Sequence, residues 1–161
     1  MRQFLTVMIL GAGLAFPTLG AAQQVAFGGL STDTKAPVEI TSDSLQVDQS
    51  TGEAVFRGNV LVVQSDMRLK AAELHVEYGE TQSEINKLIA SGGVTLVSQT
   101  DAAESQDAVY DVRSGNLVMT GNVLLTQGKN ALSGNKLTVD MTTGTGQMDG
   151  RVRTILAPGG Q

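Results

Sequence analysis

The chain of 161 residues has no cysteine and no tryptophan, and aromatic residues make up 4% of it. Without cysteine there is no disulfide scaffold, zinc ribbon, iron–sulfur cluster or thiol nucleophile. His75 is the sole histidine, so a histidine metal pair cannot be assembled. Positive charge is also in deficit, with 11 Lys and Arg against 16 Asp and Glu and a net charge of −5. Binding to a phosphate backbone wants a basic surface, so nucleic acid is not expected as a partner. Charged residues amount to 17% while Val, Leu and Ile are plentiful, which separates the chain from disordered acidic sequences. Its length suits one domain.

Long apolar runs are missing too, except at the start. Met1-Arg2 is followed by an apolar stretch from Phe4 to Phe16, then Pro17 and the small residues Gly20-Ala21-Ala22. This is the layout of a secretory signal, with cleavage expected after Ala22. The stretch is short of the ~20 residues a spanning helix needs. With no cysteine at the cut, a lipoprotein anchor is not available. The expected product is a soluble, exported, acidic domain, and export without cysteine is compatible with a bacterial periplasm. Residues 23–36 read as a flexible lead, 37–158 as the domain, and 159–161 as a tail.

What is present is a repeat. Residues 54–64 read AVFRGNVLVVQ and 117–127 read LVMTGNVLLTQ, with weaker copies IASGGVTLVS at 89–98 and MDGRVRTIL at 148–156. A second motif, two apolar positions one residue apart and then an acid, interleaves with the first: SLQVD at 44–48, ELHVE at 73–77, DAVYD at 107–111 and KLTVD at 136–140. The common period is about 30 residues, in the range of repeat architectures. Each element alternates with period two, as a half-buried strand does. One face gathers Phe56, Val60 and Val62, then Ala90, Val94 and Leu96, then Met119, Val123 and Leu125, then Met148, Val152 and Thr154. The acid-ended strands offer Leu45 and Val47, Leu74 and Val76, Ala108 and Tyr110, and Leu137 and Val139. Clusters such as STGE, RSGN and TTGTG supply turns. A brief helix near 80–88 is the one helical candidate, and a poor one. The glycine of each Gly-x-Val triplet marks a bulge or bend that curves its strand.

A two-strand unit cannot bury its own apolar face, whereas stacked units can. The expected fold is therefore all-β: an elongated antiparallel β-jellyroll or solenoid-like roll built from strand-pair repeats, with open strand edges at its two ends. Such edges invite further strands, so end-to-end homo-oligomers are expected. Val55, Leu61, Val63, Val118 and Leu124 make the opposite face partly apolar as well.

No catalytic constellation emerges. His75 lies between two inward positions of a strand and reads as a surface residue. Asp48, Glu77, Asp111 and Asp140 recur once per unit, which could suit calcium or a glycosidase pair. Their place at strand ends fits solvated turns better, and the dense Gly-Asp repeat of calcium-binding β-helices is absent. No cofactor or metal is expected.

The opening Pro37-Val38-Glu39-Ile40-Thr41-Ser42-Asp43, then Leu45-Gln46-Val47-Asp48, then Ala54 to Gln64, resembles the start of the OstA-like family of periplasmic lipopolysaccharide-transport proteins. The second Gly-Asn-Val at 121–123 and the ending Gly150-Arg151-Val152-Arg153-Thr154 sit where that family has them, so the resemblance covers about 37–158. It implies a bent, slightly open jellyroll that carries the acyl chains of lipopolysaccharide in an apolar interior and is not an enzyme. Implied partners are an inner-membrane-anchored relative of the same fold (LptC-like), the N-terminal domain of the outer-membrane translocon (LptD-like), and further copies of the chain joined end to end. The implied lipid-binding residues are Val38 and Ile40 in the first strand, Phe56, Val60 and Val62 in the next, and Val94, Leu96, Tyr110, Val123 and Leu125 further along. Two rival readings of the same residues remain. One is a structural or adhesive β-solenoid with a packed, dry core; the other is a carbohydrate-active β-helix using the repeated acids.

Overall fold

The period-two alternation becomes an almost continuous series of antiparallel strands. The computed structural model describes residues 25–26, 28–81 and 83–158; the expected signal over 1–22 and the tail over 159–161 lie outside them. The strands are β1 (Val25–Ala26), β2 (Glu39–Thr41), β3 (Ser44–Asp48), β4 (Glu53–Gln64), β5 (Met67–Tyr78), β6 (Ile85–Ser91), β7 (Val94–Ser98), β8 (Asp101–Ser105), β9 (Asp107–Asp111), β10 (Asn116–Gln127), β11 (Asn130–Asp140), β12 (Thr145–Asp149) and β13 (Arg153–Ile155). The doubtful helix near 80–88 is instead a turn followed by β6, because Ile85, Leu88 and Ala90 continue the ladder against β5 and β9.

The pairing resolves into two faces. One contains β2, the second half of β4, the first half of β5, β7, β8, the second half of β10, the first half of β11, and β13. The other contains β3, the first half of β4, the second half of β5, β6, β9, the first half of β10, the second half of β11, β12 and β1. Each bent strand therefore passes from one face to the other along a common corner.

The Gly-x-Val triplets build that corner. Gly58 and Asn59 have φ of 79° and 48°, Gly121 and Asn122 of 86° and 49°. At both places the register slips between the residues flanking the pair, from Arg57 to Val60 and from Thr120 to Val123. This is a bulge with two consecutive left-handed residues, which bends the strand and restores the inward direction of the next valine. The backbone N–H of Asp43 donates to Gly58 O at 2.9 Å, and that of Asn135 to Gly150 O at 3.1 Å, so each corner is tied to its neighbour. The bend expected from the sequence is thus present.

The core lies between the two faces and is apolar throughout its middle: Val62, Leu74, Leu96, Leu117, Leu125 and Leu137 are fully buried. At about 25 cal/mol per Å² of apolar surface removed from water, such a layer supplies the main stabilisation of the roll. The first and last units differ. Leu45 and Val47 are 54% and 58% exposed, and Val152 is 49% exposed, because a terminal strand pair has no next unit to cover it.

Residues 23–36 read from sequence as a flexible lead. From Gly28 onward the chain is instead seated against the roll. A 3₁₀ turn spans Gly28–Leu30 and Leu30 is fully buried.

Candidate functional site

The interior is assembled from alternate residues of both faces. Val60, Val62, Val94, Leu96, Val123 and Leu125 point inward from the β2 face, and Tyr110 points inward from the β3 face; all are at most 1% exposed. Val38, Ile40 and Phe56 are half-buried and pack on the same cluster. The ten residues singled out from sequence therefore share one apolar layer. They do so as mutually packed side chains, joined by others such as Met67, Leu69, Leu88 and Met141. Four methionines, Met67, Met119, Met141 and Met148, belong to the layer or pack against it; their unbranched thioethers adapt to irregular neighbours.

The corner closes one long side of this layer covalently. The opposite long side is lined by turns, and there the inward residues become polar. Gln64, Met67, Ser98, Asp101, Gln127 and Asn130 follow one another across the β2 face in register. Gln64, Ser98 and Asp101 are buried. Burying such groups costs free energy unless each finds a partner, and each does. Gln64 Nε2 donates to Thr34 O at 3.1 Å and Ala36 O at 2.9 Å. Tyr110 Oη donates to Gln64 Oε1 at 2.8 Å, which links the two faces across the interior. Ser98 Oγ donates to Ser31 O at 3.1 Å, and Gln127 Nε2 donates to Asp101 Oδ2 at 2.7 Å. Among the described residues no buried side-chain nitrogen or oxygen is left without a partner. The Tyr110 phenol has its pKa pushed up to about 12, by burial first and then by the charge of Asp111.

The sequence did not reveal this polar row, because Gln64, Ser98 and Asp101 stand beside turns and look like turn residues. The one available signal was the recurrence of Gln four residues after each Gly-Asn-Val, at Gln64 and Gln127.

The recurrent acids behave as turn caps. Asp48 Oδ1 accepts from Ser50 N at 2.8 Å and Ser50 Oγ at 2.6 Å. Asp111 Oδ1 accepts from Ser114 N at 2.9 Å, and Asp140 Oδ1 from Thr142 N at 2.8 Å. The Ser50 hydroxyl and then its amide hold Asp48 below the ordinary carboxylate range, and the Ser114 amide does the same for Asp111. Glu77 faces Lys87 at 3.7 Å. His75 lies on the outer face, where Glu73 bridges it at 2.8 Å and Arg57 at 2.8 Å; the bond to His75 is the larger influence lowering the Glu73 pKa. Among the described residues no group of three or more His, Cys, Asp or Glu is placed to hold a metal, and no helix is long and apolar enough to cross a membrane.

Comparison with known proteins follows the same outline. An uncharacterized protein of Rhizobium meliloti is 34% identical over 166 residues, spanning 96% of this chain and 89% of its own. The lipopolysaccharide export system protein LptA of Haemophilus influenzae is 25% identical over 166 residues, spanning 96% and 90%. The crystal structure of LptH, the LptA-homologous periplasmic component of the lipopolysaccharide transport device of Pseudomonas aeruginosa, superposes with a TM-score of 0.71 at 18% identity. It covers 79% of this chain and 99% of that one, and shows the same jellyroll fold. The family model described as LptA/(LptD N-terminal domain) LPS transport protein matches residues 39–145, and on that match the chain belongs to this family of lipopolysaccharide transport proteins, which are transporters and not enzymes.

Proposed function

We propose that this protein is a periplasmic carrier that shields the acyl chains of lipopolysaccharide between the two faces of its roll. It receives the lipid from an inner-membrane-anchored relative of the same fold (LptC-like) and hands it toward the N-terminal domain of an outer-membrane translocon (LptD-like). The observation that carries this reading is the uninterrupted apolar layer from Val38 and Ile40 through Phe56, Val60, Val62, Val94, Leu96, Tyr110, Val123 and Leu125, in a chain of this family. Each methylene taken from water gains about 0.8 kcal/mol. A layer of branched aliphatic side chains spreads that gain evenly, so no single position traps the lipid. Export by the signal at 1–22 would put the protein in the periplasm, where the Pseudomonas aeruginosa homologue works.

The ends support a bridge built from several copies. The first unit exposes Leu45 and Val47, the last exposes Val152, Ile155 and Leu156, and β2, β3 and β13 are edge strands. The first edge carries Glu39, Asp43 and Asp48, the last Arg151 and Arg153. Apolar patches and opposite charges at opposite ends favour heterologous, head-to-tail addition.

The dry-core solenoid remains the second reading, favoured by how completely Val60, Leu96 and Val123 are packed. A photo-crosslinking side chain at Phe56, introduced in cells, separates the two. Carriage predicts a lipopolysaccharide adduct that disappears when the inner-membrane ATPase is depleted. No adduct at Phe56, Val60 or Val123 in folded protein would establish the dry core instead.

A further inference from the structure

Residues 28–38 belong to no ladder, yet they are fixed along the seam between the two faces. β1 pairs with β12 near the C-terminal end of the roll and β2 pairs with β4 at the other end, so residues 28–38 must travel the length of the molecule. They do so along the side lined by turns. The Thr32 amide donates to Met141 O at 2.9 Å on one face, while Thr32 Oγ1 donates to Gln64 O at 2.9 Å on the other. A Cβ on Gly115 would touch Thr34 Cγ2 at 3.2 Å, and one on Gly29 would run into the Asp101 carboxylate. The Leu30 side chain is fully buried and part of the apolar cluster.

We propose that residues 28–36 are a lateral lid, latched by Gln64, that closes the open long side of the roll and is displaced when acyl chains enter. The proposal rests on the carrier reading above and adds where and how the lipid gets in. A lipid with several tails and a large sugar-phosphate head has to bury the tails while the head stays in water, because burying charged and hydroxyl-rich groups unpaired is prohibitive. It therefore needs a slot along one side of the carrier. The corner side offers none, since the strands run through it covalently. The other side is closed by the lid, through hydrogen bonds and one leucine, and by the single Tyr110–Gln64 bond between the faces.

The latch accounts for Gln64 and Ser98 in the buried polar row. Their partners are the lid's own carbonyls, Thr34 O and Ala36 O for Gln64 and Ser31 O for Ser98. With the lid displaced, these side chains stand at the rim of the slot, where solvent and the polar head can satisfy them. Leu30 then holds in the empty carrier a place that acyl methylenes fill in the loaded one, so the apolar interior is covered in both states.

The chain has no cysteine, which allows a clean test with the double variant Gly29→Cys, Asp101→Cys. The two positions are in contact across the seam, within the reach of a disulfide. Binding of fluorescent lipid A is measured on the same preparation oxidised and reduced, beside the wild type. The lid predicts at least tenfold slower uptake in the oxidised form, recovered on reduction. Equal uptake by the two forms overturns the lid and leaves the carrier standing. No uptake by the wild type overturns the carrier reading, and the lid with it. Hydrogen exchange at the Thr32 amide of the wild type decides independently of any variant. Lipid A should accelerate it several-fold, and unchanged protection in lipid-loaded protein refutes displacement.

Discussion

Gly92 and Gly93 stand side by side at the corner with nearly the same φ, 81° and 89°, and quite different surroundings. A Cβ on Gly92 would lie 2.6 Å from Ala72 Cβ, whereas a Cβ on Gly93 meets nothing within 4 Å. Replacing either by alanine puts an L-residue in the left-handed region, at a cost of about 1–2 kcal/mol. Gly92→Ala adds a clash that no rotamer relieves, because both partners are methyl groups fixed to the backbone. Overpacking of this kind costs about 1–3 kcal/mol more. The expected losses are therefore about 1–2 kcal/mol for Gly93→Ala and about 2–5 kcal/mol for Gly92→Ala, against a typical total of about 5–15 kcal/mol. Urea unfolding followed by circular dichroism measures both. Ala72→Gly in the Gly92→Ala background should recover most of the difference, since the two residues are in contact and their effects are not additive. Equal destabilisation by the two alanines, or no rescue, would refute the idea that the corner is set by close approach of neighbouring strands.

Three further outcomes follow from the packing. Tyr110→Phe removes the bond to Gln64 Oε1 at 2.8 Å and should cost about 1–3 kcal/mol at neutral pH. The folded Tyr110 pKa of about 12 lies above the unfolded value near 10, so its contribution is complete below pH 10 and is lost as pH rises through about 12. The gap between wild type and Tyr110→Phe should shrink by roughly 2–3 kcal/mol over that window, closing or reversing, and a constant gap in alkaline urea melts would count against it. On β7, Leu96→Asp should prevent folding while Val97→Asp costs about 1 kcal/mol, because Leu96 is fully buried and Val97 is 40% exposed; similar melting temperatures would contradict the inward assignment. Asp140→Ala should lose about 1 kcal/mol by releasing the Thr142 and Thr143 amides, with Asp140→Asn retaining most of it; if asparagine is as harmful as alanine, charge and not turn capping is what the site requires.

How far the fold could be read in advance depended on whether the signal was periodic. Val60 and Val62, Val94 and Leu96, Val123 and Leu125 repeat at fixed offsets from a glycine, so one strand's geometry could be transferred to the others. The offsets fail at the ends: Leu45 and Val47 match Leu74 and Val76 in pattern, yet are half-exposed for want of a neighbouring unit. The lid was not legible at all. Gly28 to Ala36 has no alternation, and the seating of Gly29, Ser31 and Thr32 is decided by residues as distant as Asp101, Ser98 and Met141, which come together only when the faces fold over. The polar row escaped for the same reason, since a buried glutamine beside a turn is indistinguishable in sequence from an exposed one.

The closed interior and the proposed cargo are compatible because the two long sides of the roll are closed by different means. Along the corner, paired left-handed residues and tight contacts such as Gly58 against Asp43 fix where the strands bend. Along the seam, closure rests on Tyr110–Gln64, the Gln64 contacts with the lid, Ser98–Ser31 and Thr32–Met141. A hydrogen bond of this kind contributes about 0.5–1.5 kcal/mol net, so releasing the set costs a few kcal/mol, an amount that burying roughly ten methylenes exceeds at about 0.8 kcal/mol each. Opening one side of the roll is thus within reach of lipid binding energy, while opening the corner would require breaking the strand ladders themselves. A carrier built this way stays closed when empty, and opens only for a ligand whose tails replace what the lid covered.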